Sequence, residues 1–318
     1  MSTFDPIGTF DRLQTSALRF TPLGETPDAL GESPLWDWRE DCLWWIDGVA
    51  GSVRRRRWHD GRWAPGERFE LGEHVGSIAL RDGGGLVVAL ERDVIAWDPL
   101  TGVRQVLLAG AVGDPRVRLN DGKADRQGRF VCGGMGRGLE PLGQLLQLDP
   151  DGRVSVLAHG LKVGNGVCFS PDGRTLYYAD TPARVLYACD YDPCTGMAST
   201  PRVHIDAAPY QSGIDGATVD ADGRIWAALI RAARIGCFDP DGRLLGSIEA
   251  PTDLPTSLAF GGPDMSTLFV TSIRDSGSGR TVSTHPDGGM LFAIDGLDAR
   301  GLAEMTFGMP APRTEQGP

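Results

Sequence analysis

The chain has 318 residues, 41% of them hydrophobic, which is ample for a large core and excludes a disordered chain. Its 44 glycines and 22 prolines are spread along the whole length, a distribution that belongs to many short strands and turns. A formal charge of −11 argues against nucleic acid and anionic membranes as partners, because both need a basic footprint.

The first residues, Met1 to Gly8, have neither a basic n-region nor an apolar h-region. No window approaches the roughly eighteen apolar residues of a membrane span. A cytoplasmic protein is therefore expected. The six cysteines (Cys42, Cys132, Cys168, Cys189, Cys194, Cys237) contain no C-x-x-C. Most lie in apolar runs, where a free thiol acts as a small hydrophobe, and no disulfide is expected.

Residues 17–23 are strand-like, and after them one unit repeats. Its mark is an apolar strand, found at 42–47, 86–90, 130–134, 176–180, 225–229 and 268–272. Counting from Leu43 through Leu86, Phe130, Leu176, Ile225 and Leu268 gives steps of 43, 44, 46, 49 and 43. A sustained period in the forties is a repeat signature. Each mark follows a turn: Asp82-Gly83, Gln127-Gly128, Asp172-Gly173 and Asp222-Gly223, with looser versions at 39–41 and 263–264. Glycine takes the positive φ that such hairpin turns require.

Most marks lead into a second hairpin. Two of its turns, Asp149-Pro150-Asp151-Gly152 and Asp239-Pro240-Asp241-Gly242, lack the full D-x-D-x-D-G spacing and distal Glu of a calcium loop. Four short antiparallel strands per unit, six units and almost no helical periodicity predict an all-β, six-bladed β-propeller. The last unit is one strand short, and 18–23 is expected to complete it, closing the ring and hiding two edges. No linker or composition shift divides the chain. Residues 1–318 are therefore expected to form one domain, with 1–16 a polar lead and 306–318 a tail.

In a propeller the first strand of each blade lines the central channel. The eighth residue before the turn glycine is Asn120, Asn165 or Asp215 in three units. The same count gives Glu32 in the first unit, where Glu40 replaces the glycine, and Val75 and Pro255 in the remaining two. Asp, Asn and Glu are not strand formers. As turn residues at strand starts they would be purely structural. As four side chains in register about one axis they form a hard, oxygen-only set suited to Ca²⁺, Mg²⁺ or Mn²⁺. A central-channel metal site is therefore expected. The histidines show no ligand spacing, although His74 stands beside Val75 at a channel-facing strand start. Arg118 precedes Asn120 by two, which puts both side chains on one face of a strand. Its guanidinium can bind a carboxyl, polarise a carbonyl, or pair with Asp121 or Asp125. The run Arg54-Arg55-Arg56-Arg57 is expected to be a solvated edge, with at least half of it sent to solvent by strand alternation.

Four blocks carry a resemblance to a known family: Gly31-Glu32-Ser33-Pro34-Leu35-Trp36, Arg118-Leu119-Asn120-Asp121-Gly122-Lys123, Asn165-Gly166-Val167-Cys168-Phe169-Ser170-Pro171-Asp172-Gly173 and Asp215-Gly216. In order and spacing the chain resembles the SMP-30/gluconolactonase/regucalcin family over nearly its whole length. That resemblance implies a six-bladed propeller with one divalent metal at the axis, and many members hydrolyse sugar lactones. It implies metal ligands at Glu32, Asn165 and Asp215, with Asp215 also the general base, and substrate contacts at Arg118 and Asn120. Several members carry an acidic residue just after a G-x-M segment, on a loop over the site. Here the segment reads Gly134-Met135-Gly136-Arg137-Gly138-Leu139-Glu140, so the acid is displaced and the loop is short. Glu140 and Asp121 are the further candidates for substrate contact.

The function expected on this basis is a divalent-metal-dependent lactonase that opens a sugar lactone to the sugar acid. Its metal polarises the carbonyl and Asp215 acts as base. One divalent ion is expected, calcium foremost, with magnesium, manganese, zinc or iron as alternatives. The expected partner is a small-molecule sugar lactone, and the expected state is a monomer or small homo-oligomer. Two other readings stand beside it. A hydrolase of a non-sugar lactone, aryl ester or organophosphate would have a rim rich in Trp and Phe, whereas a polar rim suits sugars. A non-catalytic calcium-binding propeller would need no Arg118–Asn120 pair.

Overall fold

A computed structural model describes Leu13 and residues 17–308. Most of the expected lead (1–16) and the tail from 309 onward lie outside the described residues. Six antiparallel sheets follow one another along the chain. Their first strands are Gly31–Asp37, Val75–Leu80, Val117–Ala124, Gly164–Phe169, Ile214–Val219 and Pro255–Gly261. Each of these packs against the first strand of the next blade, and the sixth packs against the first, so the ring is closed. The sixth blade takes Arg19–Pro22 as its outer strand, paired in register from Arg19↔Asp295 to Pro22↔Phe292. The stretch expected to close the ring does so.

The apolar marks of the sequence are the second strands. Each lies between two blades and is buried on both faces, so alternate residues serve different interfaces. In the fifth blade Ile225, Ala227 and Leu229 pack toward the fourth blade, while Trp226 and Ala228 pack toward the sixth. Every junction between blades has its own cluster of this kind, and the last joins Trp36, Leu43 and Trp45 to Phe269, Leu291 and Ala293. All six cysteines are unpaired, and five are buried in these layers.

The hairpin turns fall where the glycines predict, with Gly83, Gly128, Gly173 and Gly223 all at positive φ. In the first blade, which has no glycine there, Asp41 takes the left-handed position at φ 45°. The Asp149 and Asp239 segments are hairpin turns, as expected.

The arginine run departs from expectation. Arg54 and Arg55 are buried, because Arg62–Trp63 and Glu67–Glu70 both pair along the outer side of their strand, Ser52–His59. Arg54 pairs with Asp28 at 2.7 Å. Arg55 pairs with Glu67 and stacks over Trp44, 4.7 Å from the ring centroid. Arg56 donates to the carbonyls of Ala64 and Leu23. What read as a solvated edge is paired along its outer side by the last two strands of a five-stranded sheet.

At the axis every first strand has a one-residue register shift, between Glu32 and Leu35, Val75 and Ser77, Leu119 and Gly122, Asn165 and Cys168, Ile214 and Ala217, and Pro255 and Leu258. A bulge bends its strand and re-aims a side chain. Six bulges at one level turn the start of each first strand into the channel. The glycines there serve close approach and not a hairpin turn. Gly166 lies within the bulge at φ 58°. A Cβ on Gly216 would come within 2.6 Å of Ser257 Cα in the neighbouring blade. Gly216→Ala is therefore expected to lower stability by about 1–3 kcal/mol, an overpacking cost. Urea or thermal denaturation measures it, and an unchanged midpoint would show that the inner strands are free to separate.

Candidate functional site

The bulged strand starts open into a cavity of about 390 Å³ at one end of the channel. Glu32, Arg118, Asn120, Asn165 and Asp215 all line it, so the register count brings together the four oxygen-bearing side chains it singled out. Arg118 shares the cavity with Asn120, as their two-residue spacing requires.

One hydrogen-bonded chain links three blades. Arg118 Nη1 donates to Asn120 Oδ1 at 2.7 Å, and Asn120 Nδ2 donates to Asn165 Oδ1 at 2.5 Å. Asn165 Nδ2 then donates to Asp215 Oδ1 at 2.5 Å and to Thr181 Oγ1 at 2.8 Å. Thr181 is fixed in turn by donating to the Ile214 carbonyl at 2.7 Å. The chain runs from a cation to an anion, each carboxamide passing the same polarity onward, so all its members are oriented together. Asn165 thereby presents its NH₂ to Asp215.

Two acids meet at this floor. Burial raises the Asp215 carboxyl well above the usual carboxylate range, and the charge of Asp121 adds to the shift. Burial also raises Glu32, with Asp215 the largest of the neighbouring charges acting on it. Burial lowers Arg118 to about 10, against the opposing field of Glu32. The arrangement concentrates negative charge where water is scarce, which is costly unless a cation or a proton answers it.

Asp121 takes no part in the open cavity. The bulge after Leu119 sends it to the far side of the strand start, where its oxygens accept the N–H groups of Val167 (3.0 Å) and Gly122 (2.9 Å). Burial pushes it up to about 6. There it borders a smaller enclosed space that the C-terminal segment covers through Glu304 and Met305. Lys123 Nζ holds Glu304 at 2.8 Å, closing that side of the channel. Glu140 also stays out of the cavity lining, because its carboxylate turns back to accept the N–H of Gly138. Its neighbours Arg137 and Leu139 line the cavity instead. His74 is not part of the lining either, and burial lowers it to about 3, so it stays neutral.

The sequence reasoning missed the mouth. Thr181, Arg184, Gln211, Arg231, Ser276, Ser278, Arg280 and Thr281 form a polar rim, and Leu30, Val163, Ile230 and Ile273 form apolar wall beneath it. No aromatic side chain lines the cavity among the described residues. Nor, among the described residues, does any group of three or more His, Cys, Asp or Glu come together as a metal cluster. The axial set has two acids and completes its oxygen donors with carboxamides.

The family model for the SMP-30/gluconolactonase/LRE-like region matches residues 30–274. A 6-deoxy-6-sulfogluconolactonase of Pseudomonas putida is 36% identical over 283 residues, covering 88% of this chain and 96% of that protein. A pentonolactonase of Haloferax volcanii is 32% identical over 292 residues, covering 86% of this chain and 94% of that protein. Among solved structures, a calcium-binding protein, regucalcin, from Agrobacterium tumefaciens superposes with a TM-score of 0.82 at 29% identity, covering 90% of this chain and 96% of that one.

The crowded acids have a measurable consequence. A carboxyl whose folded-state value is raised favours the fold while protonated and weakens it as pH rises through that value. In chelator-treated protein, Asp215→Asn is therefore expected to raise the melting midpoint at neutral pH by about 2–4 °C. The gain should vanish below about pH 4, where the unfolded-state carboxyl is protonated too. Scanning calorimetry across pH measures it, and an equal or lower midpoint at neutral pH would contradict the repulsion.

Proposed function

Because the chain belongs to the SMP-30/gluconolactonase/LRE-like family, we propose that it is a hydrolase that opens a sugar lactone to the sugar acid at the cavity above Glu32, Asn120, Asn165 and Asp215. The observation that carries this reading is the oriented chain from Arg118 through Asn120 and Asn165 to Asp215 on the floor of an open cavity. A purely structural knot would not be left facing a cavity large enough for a sugar. The relatives' names support the substrate class: one acts on a sulfonated gluconolactone and another on a pentonolactone, both aldonolactones. The rim supports it too. Hydroxyl, carboxamide and guanidinium groups without an aromatic ring suit a sugar better than an aryl ester.

The floor fits a hard divalent cation. Two carboxylates with raised protonation midpoints, Asp215 buried and Glu32 half-buried, need a positive partner, and the donors are all oxygen. Glu32, Asp215 and Asn165, the last offering its oxygen once its carboxamide is turned over, would hold it. Calcium is the first candidate. When bound, the ion supplies a Lewis acid for the lactone carbonyl and for the charge that develops on its oxygen.

Asp215 takes a proton from a water molecule as that water's oxygen attacks the carbonyl carbon. The carbon–ring-oxygen bond then breaks, and the proton held by Asp215 goes to the departing ring oxygen, leaving a hydroxyl and a carboxylic acid. Before the ion is bound, Asn165 holds the Asp215 carboxylate in place through its hydrogen bond. Arg118 and Asn120 hold the lactone oxygens, Arg118 with donors to spare beyond Asn120 and the Leu119 carbonyl.

Acid release from an aldonolactone, followed above the spontaneous rate, tests the reading. Asp215→Asn is expected to lose about 10²–10⁴ in kcat while remaining folded, the usual worth of a general base. Excess chelator is expected to abolish turnover, and added calcium to restore it. Undiminished activity in chelator would rule out the metal, and undiminished activity in the Asn variant would rule out the base.

A further inference from the structure

Arginines recur at one place in the fold. The link between the second and third strands carries Arg137 in the third blade, Arg184 in the fourth, Arg231 in the fifth and Arg280 in the sixth. All four reach the same cavity mouth. Arg137 is engaged, with its guanidinium on Glu91 and on the Pro115 carbonyl. The other three are exposed, and none of them forms an ion pair among the described residues. Arg231 is steadied without being neutralised, since its Nη2 donates to Thr281 Oγ1 at 3.0 Å.

The rim is unbalanced for a neutral sugar. Hydroxyl groups both donate and accept, so sugar sites usually offer carboxylates or carbonyls beside their donors. Here the only carboxylates among the lining residues are Glu32 and Asp215, which lie on the floor with the reaction chemistry. The mouth offers three guanidinium forks and hydroxyls beside the single carboxamide of Gln211, a set weighted toward a group that only accepts. The position is also selective. Arg184, Arg231 and Arg280 belong to three consecutive blades, the fourth to the sixth, and together line half of the ring around the mouth. A lactone seated with its carbonyl over the floor would direct its exocyclic end toward them.

Resting on the lactonase reading, we propose that the substrate is an anionic sugar lactone whose phosphate or sulfonate, on the carbon farthest from the carbonyl, is held by Arg184, Arg231 and Arg280. These three residues are assigned to specificity, and a ratio between lactones reads them because the charge of Arg231 also acts on Asp215. The charge of −11 on the whole chain makes this local positive mouth the place where an anion is drawn in.

The test compares kcat/KM for gluconolactone, its 6-phosphate and its 6-deoxy-6-sulfonate in the metal-loaded protein. At least one anionic lactone is expected to be preferred about 100-fold over the neutral one, and the larger ratio identifies phosphate or sulfonate. Arg231→Gln and Arg280→Gln are each expected to cut that ratio about tenfold, and rising salt to cut it further, since exposed charges are screened. A ratio near one in the unaltered protein, or a ratio that both variants leave intact, overturns the proposal while the lactonase reading stands. A second measurement does not depend on turnover. Calorimetric titration with open-chain 6-phosphogluconate, its sulfonate counterpart and gluconate reads the rim directly. Preference for either acid that carries the second anionic group, lost in the Arg231→Gln/Arg280→Gln double variant, supports the anion site even if no lactone is hydrolysed. Equal affinity for all three acids overturns it.

Discussion

Two carboxylates, Glu32 and Asp215, are held together at the centre of a closed ring, on the floor of the cavity that opens at one end of its channel. Left alone they would separate or keep protons. The fold forbids the first, so without a cation they keep protons. Each sits at the start of a first strand, each first strand packs on its neighbours, and Arg19–Pro22 bonds to the last blade to close the circle. The stability of six apolar layers is what keeps an unfavourable pair of charges in place. The remaining polar groups at the axis respond to that pair: Asn165 donates to Asp215, Asn120 to Asn165, and Arg118 feeds the chain from the third blade.

The ring also decides which residues face the axis. Six first strands converging on one channel leave little room, and each accommodates the crowding with a bulge at the same level. The bulges explain why neighbours in sequence part company. Asn120 turns to the open cavity, while Asp121, one residue on, is committed to the N–H groups of Val167 and Gly122 near the covered end. They also explain the glycines beside the site residues, where a neighbouring strand leaves no space for a side chain.

Much of this was legible in the sequence because the blade is a rigid measure. The distance from a first strand's start to its turn is set by strand length, so counting back from Gly128, Gly173 and Gly223 lands on Asn120, Asn165 and Asp215. The same regularity exposed the missing strand and its replacement near residue 20. The count could not separate Asn120 from the candidate ligands, and nothing in the sequence showed that the N–H groups of Val167 and Gly122 would take up the oxygens of Asp121. Alternation fails for Arg54 and Arg55, because a strand that looks like an edge can be paired by strands further along. Glu140 was placed by its order in the chain, but a short loop gave its carboxylate a nearer partner in Gly138. The rim arginines lie in links with no periodicity. Their one signal, an arginine shortly after each apolar mark at Arg137, Arg184 and Arg231, becomes meaningful only when the links are known to share a face.

The account rests on the axial acids being a cation site whose charge is withheld until the ion arrives. Calorimetric titration of calcium into chelator-stripped protein at pH 7, in two buffers of different ionisation enthalpy, measures this directly. Carboxyls raised by burial and mutual repulsion should give up protons as the ion binds, so the apparent binding heat should differ between buffers by an amount that reports net proton release. Asp215→Asn should diminish both the affinity and the release. Calcium binding with the same heat in both buffers, or no binding at all, would contradict the account.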